Sequence, residues 1–163
     1  MIDLKKIKND LINKENLYYL LIIITIFFLD RYSKIKIVNS FNDSSFYINQ
    51  FLNFELTWNT GIGFGLLSSN NNIYYNSISI LITLVILFLI YISLKAGKYE
   101  KIIFSLIIGG ALGNLYDRLT FRAVPDFIDL HYGQFHWFTF NVADIFITLG
   151  IIAYIMKGST SSN

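Results

Sequence analysis

From Ser77 to Leu94 the chain runs for eighteen residues without a charge, mostly Ile, Leu and Val, and then meets Lys95, Lys98 and Lys101. A helix of that length covers most of a bilayer's hydrocarbon core, which is about 30 Å thick. No soluble fold of this size needs an uncharged helix so long, so the run sets the solvent for the rest of the chain. Three more apolar segments share the pattern. Leu17–Leu29 follows a tail carrying Lys5, Lys6, Lys8 and Lys14, Ile102–Tyr116 follows the lysine cluster, and Ile145–Met156 precedes Lys157. The charge flanking of the first resembles a signal peptide, but Asp30-Arg31-Tyr32-Ser33-Lys34 stands where a small-residue cleavage site would be, so a retained anchor is expected.

These segments predict an all-α membrane protein in a single domain, residues 1–163, with four transmembrane helices over about 16–36, 73–94, 102–119 and 138–157. Two of them are short. Asn16–Leu29 would span only about 21 Å, so that helix either continues through Asp30 to about Val38 or is covered by its neighbours. Ile145–Met156 would span about 18 Å, so the fourth helix should begin upstream and hold Asp144 in its first turns. Gly109 and Gly113 form a small-xxx-small pair that permits close helix packing. Residues 39–72 are polar, and Phe54, Leu56 and Trp58 alternate there with Asn53, Glu55, Thr57 and Asn59. That period of two predicts a half-exposed strand in an extracytoplasmic β region at about 39–68. The glycines of Thr60-Gly61-Ile62-Gly63-Phe64-Gly65 suit a bend, and their spacing is not that of a dinucleotide site.

Basic residues near the span ends number eight on the face holding both termini and five on the other, which predicts cytoplasmic termini. The first and third loops then emerge together outside, and Asp30, Lys34, Asn59, Asn114, Asp117, Arg118, Asp126, Asp129, Asn141 and Asp144 converge there.

A carboxylate within the bilayer costs about 2.5–3.5 kcal/mol on insertion scales, so such groups are functional candidates. Two close carboxylates do not both ionise readily. One keeps a proton while the other acts as base, and the pair can activate water for peptide hydrolysis. Asp126 and Asp144 are the candidates. Plainer readings stand beside them: Asn141-x-x-Asp144 has the form of a helix N-cap with an acidic third residue, and Asp126 after Pro125 that of a loop carboxylate. Asp30 and Lys34, four apart, suit an ion pair, while Asn114 and Arg118 share a helical face. Tyr132, Phe135, Trp137, Phe138 and Phe140 read as an interfacial belt. With no cysteine in the chain, thiolate catalysis and disulfides are excluded. His131 and His136 are expected on a loop with no third ligand, so no metal site and no cofactor are expected. His-Glu-x-x-His and Gly-x-Ser-x-Gly are both absent. A net charge of +2 without a basic patch argues against nucleic acid. A proton-relaying transporter or a purely structural subunit stays open on these residues, although no internal repeat supports the first.

Five blocks in order carry a resemblance: Leu29-Asp30-x-x-Ser33-Lys34, Asn59-x-Gly61-x-x-Phe64-Gly65, Gly109–Leu119, Asp126-Phe127-Ile128-Asp129 and Phe140–Asp144. Together they resemble the lipoprotein signal peptidases, the type II signal peptidases of bacteria. The resemblance implies a four-helix aspartyl endopeptidase of the cytoplasmic (inner) membrane, monomeric, with an outer β-sheet cradle and its active site at the extracytoplasmic face. Its substrate would be a diacylglyceryl prolipoprotein, cut just before the lipidated cysteine, with membrane lipid its other partner. It also implies Asp126 and Asp144 as the catalytic pair, with Asn59, Asn114, Arg118, Asn141, Asp30 and Lys34 in supporting or substrate-binding roles. Two positions depart from the family's pattern: Arg31, where glutamine is common, and Pro125, where a branched apolar residue usually precedes the catalytic aspartate.

Overall fold

A computed structural model describes residues 14–40, 45–61 and 72–160. Lys5, Lys6 and Lys8 and the stretch Ile62–Gly65 lie outside the described residues. The elements run α1 (Lys14–Ser40), β1 (Phe46–Asn49), β2 (Leu52–Asn59), α2 (Asn72–Lys95), α3 (Lys98–Phe121), β3 (Val124–Tyr132), β4 (Phe135–Phe140) and α4 (Val142–Thr160). The protein is mostly helical, with a single antiparallel sheet of order β1-β2-β3-β4.

Tyr75–Lys95, Lys98–Phe121 and Val142–Ser159 are long and apolar enough to cross a membrane. α1 is not among them; its C-terminal half holds Asp30, Arg31, Lys34 and Lys36. Of the two possibilities open for the first segment, the helix continues: its 27 residues extend for about 40 Å. α3 is the bundle's centre and packs on α1, α2 and α4. Ile103, Phe104, Ile108 and Leu115 are buried on it, whereas Ile80, Leu84 and Phe88 of α2 and Leu149, Ile152 and Ile155 of α4 face outward. Such continuous apolar flanks are what lipid covers, and the protein is a membrane protein.

Glycines on α3 set how closely its neighbours approach. A Cβ on Gly110 would lie 2.5 Å from the Ala143 carbonyl oxygen, and one on Gly113 would lie 2.4 Å from Asp30 Oδ2. Gly113 therefore does more than permit packing, because it makes the space a buried carboxylate occupies. At the end away from the sheet, polar pairs tie the helices: Lys101 donates to Asn16 at 3.0 Å, Lys157 pairs with Glu100, and Lys98 meets Glu15 at 3.4 Å.

Three local expectations are corrected. The sheet is not confined to about 39–68, since Val124–Tyr132 and Phe135–Phe140 supply its other two strands. α4 accordingly begins at Val142 rather than near 138, because the aromatic run Phe135–Phe140 pairs with β3 instead of extending the helix. Third, the alternation in β2 does not persist. Leu52, Asn53 and Phe54 pair with Leu130, Asp129 and Ile128, but beyond a bulge Thr57, Trp58 and Asn59 pair with Asp126, Pro125 and Val124. One extra residue reverses the faces, so Trp58 is exposed and Asn59 is buried.

Candidate active site

That reversal begins the site. Thr57 and Asn59 now lie on the face of the sheet that carries Val124 and Asp126, and Asn59 Nδ2 donates to Asp126 Oδ2 at 2.8 Å. The Asn59 Oδ1 accepts the Gly61 N–H at 2.8 Å, which turns the chain at the strand's end. Gly61 in turn offers its carbonyl to Arg118 Nη2 at 2.5 Å.

Asp144 arrives from the other side, on the first turn of α4. Asn141 caps that helix: its Oδ1 accepts the Asp144 N–H at 3.2 Å, and Asp144 Oδ2 accepts the Asn141 N–H at 3.1 Å. This is the reciprocal capping box expected from Asn141-x-x-Asp144. It does not compete with a role for Asp144, since the same Asn141 amide points its Nδ2 at Asp126 Oδ1, 2.6 Å away. One fully buried amide thus touches both aspartates, accepting beside one and donating to the other. Asn114 Nδ2 donates to the remaining oxygen, Asp144 Oδ1, at 2.8 Å. All four carboxylate oxygens are engaged, three of them by asparagine side chains.

Asp126 is 2% exposed. Burial first, and then the charge of Asp144, push its carboxyl up to about 6, against the pull of the Asn59 and Asn141 amides and of Lys34 toward the ionised form. Arg118 is buried nearby, donating to the Asn114 and Gly61 carbonyls, with its Nε lacking a hydrogen-bond partner among the described residues. The hydroxyl of Tyr75 donates to the Arg118 carbonyl at 2.9 Å and ties the start of α2 to this end of α3.

Behind the pair lies a second polar cluster. Lys34 Nζ donates to Asp30 Oδ2 at 2.7 Å and to Asn114 Oδ1 at 2.8 Å. It also lies 2.8 Å from Asp117 Oδ2, a charge contact away from hydrogen-bond geometry. Asp117 pairs as well with Arg31, whose guanidinium sits 4.6 Å from the Tyr116 ring centroid. Two cations therefore balance two anions with almost no water. Asp30 Oδ1 accepts the Ala143 N–H at 2.9 Å, so this cluster also anchors the start of α4. Asn114 links the clusters, accepting from Lys34 and donating to Asp144.

The residues singled out in the sequence thus converge, with Asp126, Asp144, Asn59, Asn114 and Asn141 joined directly and Asp30, Lys34 and Arg118 around them. Asp129 is set apart. It holds His136 at 2.7 Å, and both histidines stand on strands rather than on a loop. The Arg31 pairing with Asp117 and the Tyr75 hydroxyl were not foreseen. Arg31 had a signal in being charged beside Asp30, whereas Tyr75 had none.

A bundle of apolar helices capped by a small sheet, with two buried carboxylates joined through one asparagine at the sheet–helix junction, defines a polytopic membrane protein built for chemistry at its edge. Residues 22–159 match the family model described as signal peptidase (SPase) II. The chain is 49% identical over 149 residues to a lipoprotein signal peptidase of Pelagibacter ubique (strain HTCC1062), covering 89% of this chain and 90% of that one. It is 37% identical to one from Anaplasma marginale (strain Florida), covering 87% and 84%. A solved bacterial membrane enzyme superposes with a TM-score of 0.79 at 27% identity, covering 90% of each chain. The chain belongs to the signal peptidase II family and is a membrane protease of lipoprotein processing.

Proposed function

We propose that this protein is an aspartyl endopeptidase that removes the signal peptide from diacylglyceryl-modified prolipoproteins, cutting just before the lipidated cysteine. The observation that supports the reading is Asn141 joining the two carboxylates, its side-chain amide donating to Asp126 and its backbone N–H to Asp144. It fixes the pair's relative position without neutralising either group. With water excluded by substrate, the pair holds one proton between its members. The ionised carboxylate takes a proton from the attacking water while its protonated partner donates to the scissile carbonyl; as the tetrahedral intermediate collapses, the first carboxyl passes the water's proton to the leaving amine and the partner recovers its own from the hydroxyl. Asn59, Asn114 and Asn141 hold the carboxylates against rotation, and Arg118 offers its Nε, which has no hydrogen-bond partner among the described residues, to substrate backbone. Asp30 and Lys34 act through Ala143 and Asn114 as positioning residues.

An apolar cleft of about 490 Å³ between α1 and the sheet is lined by Tyr32, Ile37, Phe46, Phe54, Phe127 and Val142. It lies beside the strand of Asp126 and suits a lipidated substrate whose acyl chains stay in the bilayer and set the depth of the scissile bond. In this reading α1 is a fourth span, both termini are cytoplasmic, the sheet lies outside the inner membrane, and a monomer suffices. The test is processing of a diacylglyceryl prolipoprotein in membranes by Asp126→Asn and Asp144→Asn. Both are expected to abolish cleavage at normal abundance and insertion. Cleavage at the unmodified rate by either variant refutes the dyad.

A further inference from the structure

The β3–β4 hairpin carries a second constellation that peptide hydrolysis does not use. Asp129 and His131 are two apart on β3 and share a face, the one opposite Asp126 by strand alternation. β4 adds His136 to them through a bulge. Leu130 pairs with Phe138, which in a regular ladder would set His131 against Trp137; the register slips by one residue and His131 faces His136 instead. The two imidazoles stack at 5.3 Å between centroids and 24° between planes. One ligand atom from each of Asp129, His131 and His136 lies within 4.8 Å of the others.

A hydrogen-bonded carboxylate with two histidines does not account for the whole arrangement. His136 Nδ1 lies 2.7 Å from Asp129 Oδ2, but His131 Nδ1, 3.5 Å from the same oxygen, has no hydrogen-bond partner among the described residues. His131 is 5% exposed, so this ring nitrogen is buried without a hydrogen bond, which is unfavourable. Asn53, directly opposite Asp129 on β2 and therefore on the same face, has an Oδ1 that is also buried and unpartnered. A buried carboxylate beside a ring nitrogen without a hydrogen bond, with a further unsatisfied amide oxygen on the same face of the sheet, is the electrostatic complement of a cation.

We propose that Asp129, His131 and His136 form a binding site for a divalent transition metal, clamping β3 to β4 on the face of the sheet away from the aspartate pair. Two imidazoles and one carboxylate select zinc, copper or nickel over magnesium or calcium, which prefer all-oxygen sites. The spacing fits. Tetrahedral zinc with bonds of about 2.0–2.1 Å holds its ligand atoms about 3.3 Å apart; the two distances to Asp129 Oδ2, 2.7 and 3.5 Å, bracket that value, and all three ligand atoms lie within 4.8 Å of one another, so a small closure of the hairpin completes the set. His136 is half exposed, which provides a route of entry and a place for a water ligand. The ion ties the hairpin that presents Asp126 and Asn141 from its two ends.

The chain has only these two histidines and no cysteine, so imidazole ligation of a metal has no other place to occur. The experiment uses the full chain in detergent, purified by a tag free of histidine and cysteine, stripped of metal and titrated with Zn²⁺ or Co²⁺ alone. One equivalent is expected to bind, raising the melting temperature, with a visible Co²⁺ spectrum of low-symmetry coordination. His136→Ala, at a half-exposed position that leaves the fold intact, should weaken binding by roughly ten-fold or more and remove the thermal shift. His136→Cys should restore binding and add a sulfur-to-cobalt charge-transfer band. No binding by the unmodified protein at 100-fold molar excess of Zn²⁺, equal affinity in His136→Ala, or a His136→Cys complex without that band each overturns the proposal.

Discussion

Replacing Asn59 by leucine, a side chain with the same branching and the same number of heavy atoms, separates a catalytic carboxylate from a structural one. Asn59 is 7% exposed, and its Nδ2 donates to Asp126 Oδ2 at 2.8 Å. A hydrogen bond to an ionised group in such a site contributes about 1.5–3 kcal/mol. Asn59 stabilises the ionised form, so its loss moves the Asp126 carboxyl upward by about 1–2 pH units, at 1.36 kcal/mol per unit. Burial and Asp144 already hold that carboxyl at about 6. The pair works with one proton between its members, so loss of the Asp126 proton sets the alkaline limb of kcat/KM, which should fall near pH 6 in the unmodified enzyme and near pH 7–8 in Asn59→Leu. Relative to the unmodified protein, the variant should therefore gain about ten-fold or more in activity between pH 5, where Asp126 keeps its proton in both, and pH 9. The assay is cleavage of a diacylglyceryl-modified prolipoprotein in lipid nanodiscs between pH 5 and 9. Leucine also frees the Gly61 N–H, and that structural loss lowers activity equally at every pH. A uniform loss with an unmoved limb, or a limb moved to lower pH, refutes the reasoning.

Three further outcomes follow from the same geometry. Because the Asp126 carboxyl is raised in the fold, the folded state binds more protons than the unfolded one between pH 3.8 and about 6, so stability falls as pH rises through that window, by up to about 3 kcal/mol. Asp126→Asn lacks this cost but offers one acceptor where two amides donate, a loss of about 1 kcal/mol; it should be about 1–2 kcal/mol more stable than the unmodified protein at pH 8 and no more stable at pH 4, as read by thermal unfolding in detergent. Lys34→Met leaves Asp30 and Asp117 with Arg31 as their one cationic partner among the described residues, and should destabilise by about 3–5 kcal/mol, whereas an unchanged melting temperature would show the cluster to be dispensable. Gly113→Val places its Cβ against Asp30 Oδ2 and should displace the carboxylate from the Ala143 N–H, reducing both stability and prolipoprotein processing more than Gly158→Val, where an added Cβ meets no described atom within 4 Å.

The helices were legible in the sequence because apolar length is a local property: Ser77–Leu94 spells its helix without reference to any other residue. The N-cap was legible for the same reason, since Asn141 and Asp144 meet within one turn. Strand register was not. Whether Asn59 or Trp58 is buried depends on a bulge whose partner lies on β3, about seventy residues further along the chain. The aromatics of Phe135–Phe140 read equally as a lipid belt, and only pairing with β3 makes them a strand.

What the sequence determined by itself was the solvent, the helical segments, the polar residues costly enough to require partners, and a family resemblance carried by five blocks. Those follow from composition and near-neighbour spacing, which the chain carries in one dimension. Tertiary structure decided which partners those residues take. It set Asp126 against Asp144 through one amide of Asn141, gave Lys34 to Asp30 and Asp117, and gathered Asp129, His131 and His136 on the other face of the sheet. A buried polar group must find its complement across elements, and a one-residue slip in a β ladder exchanges every candidate on one face for those on the other.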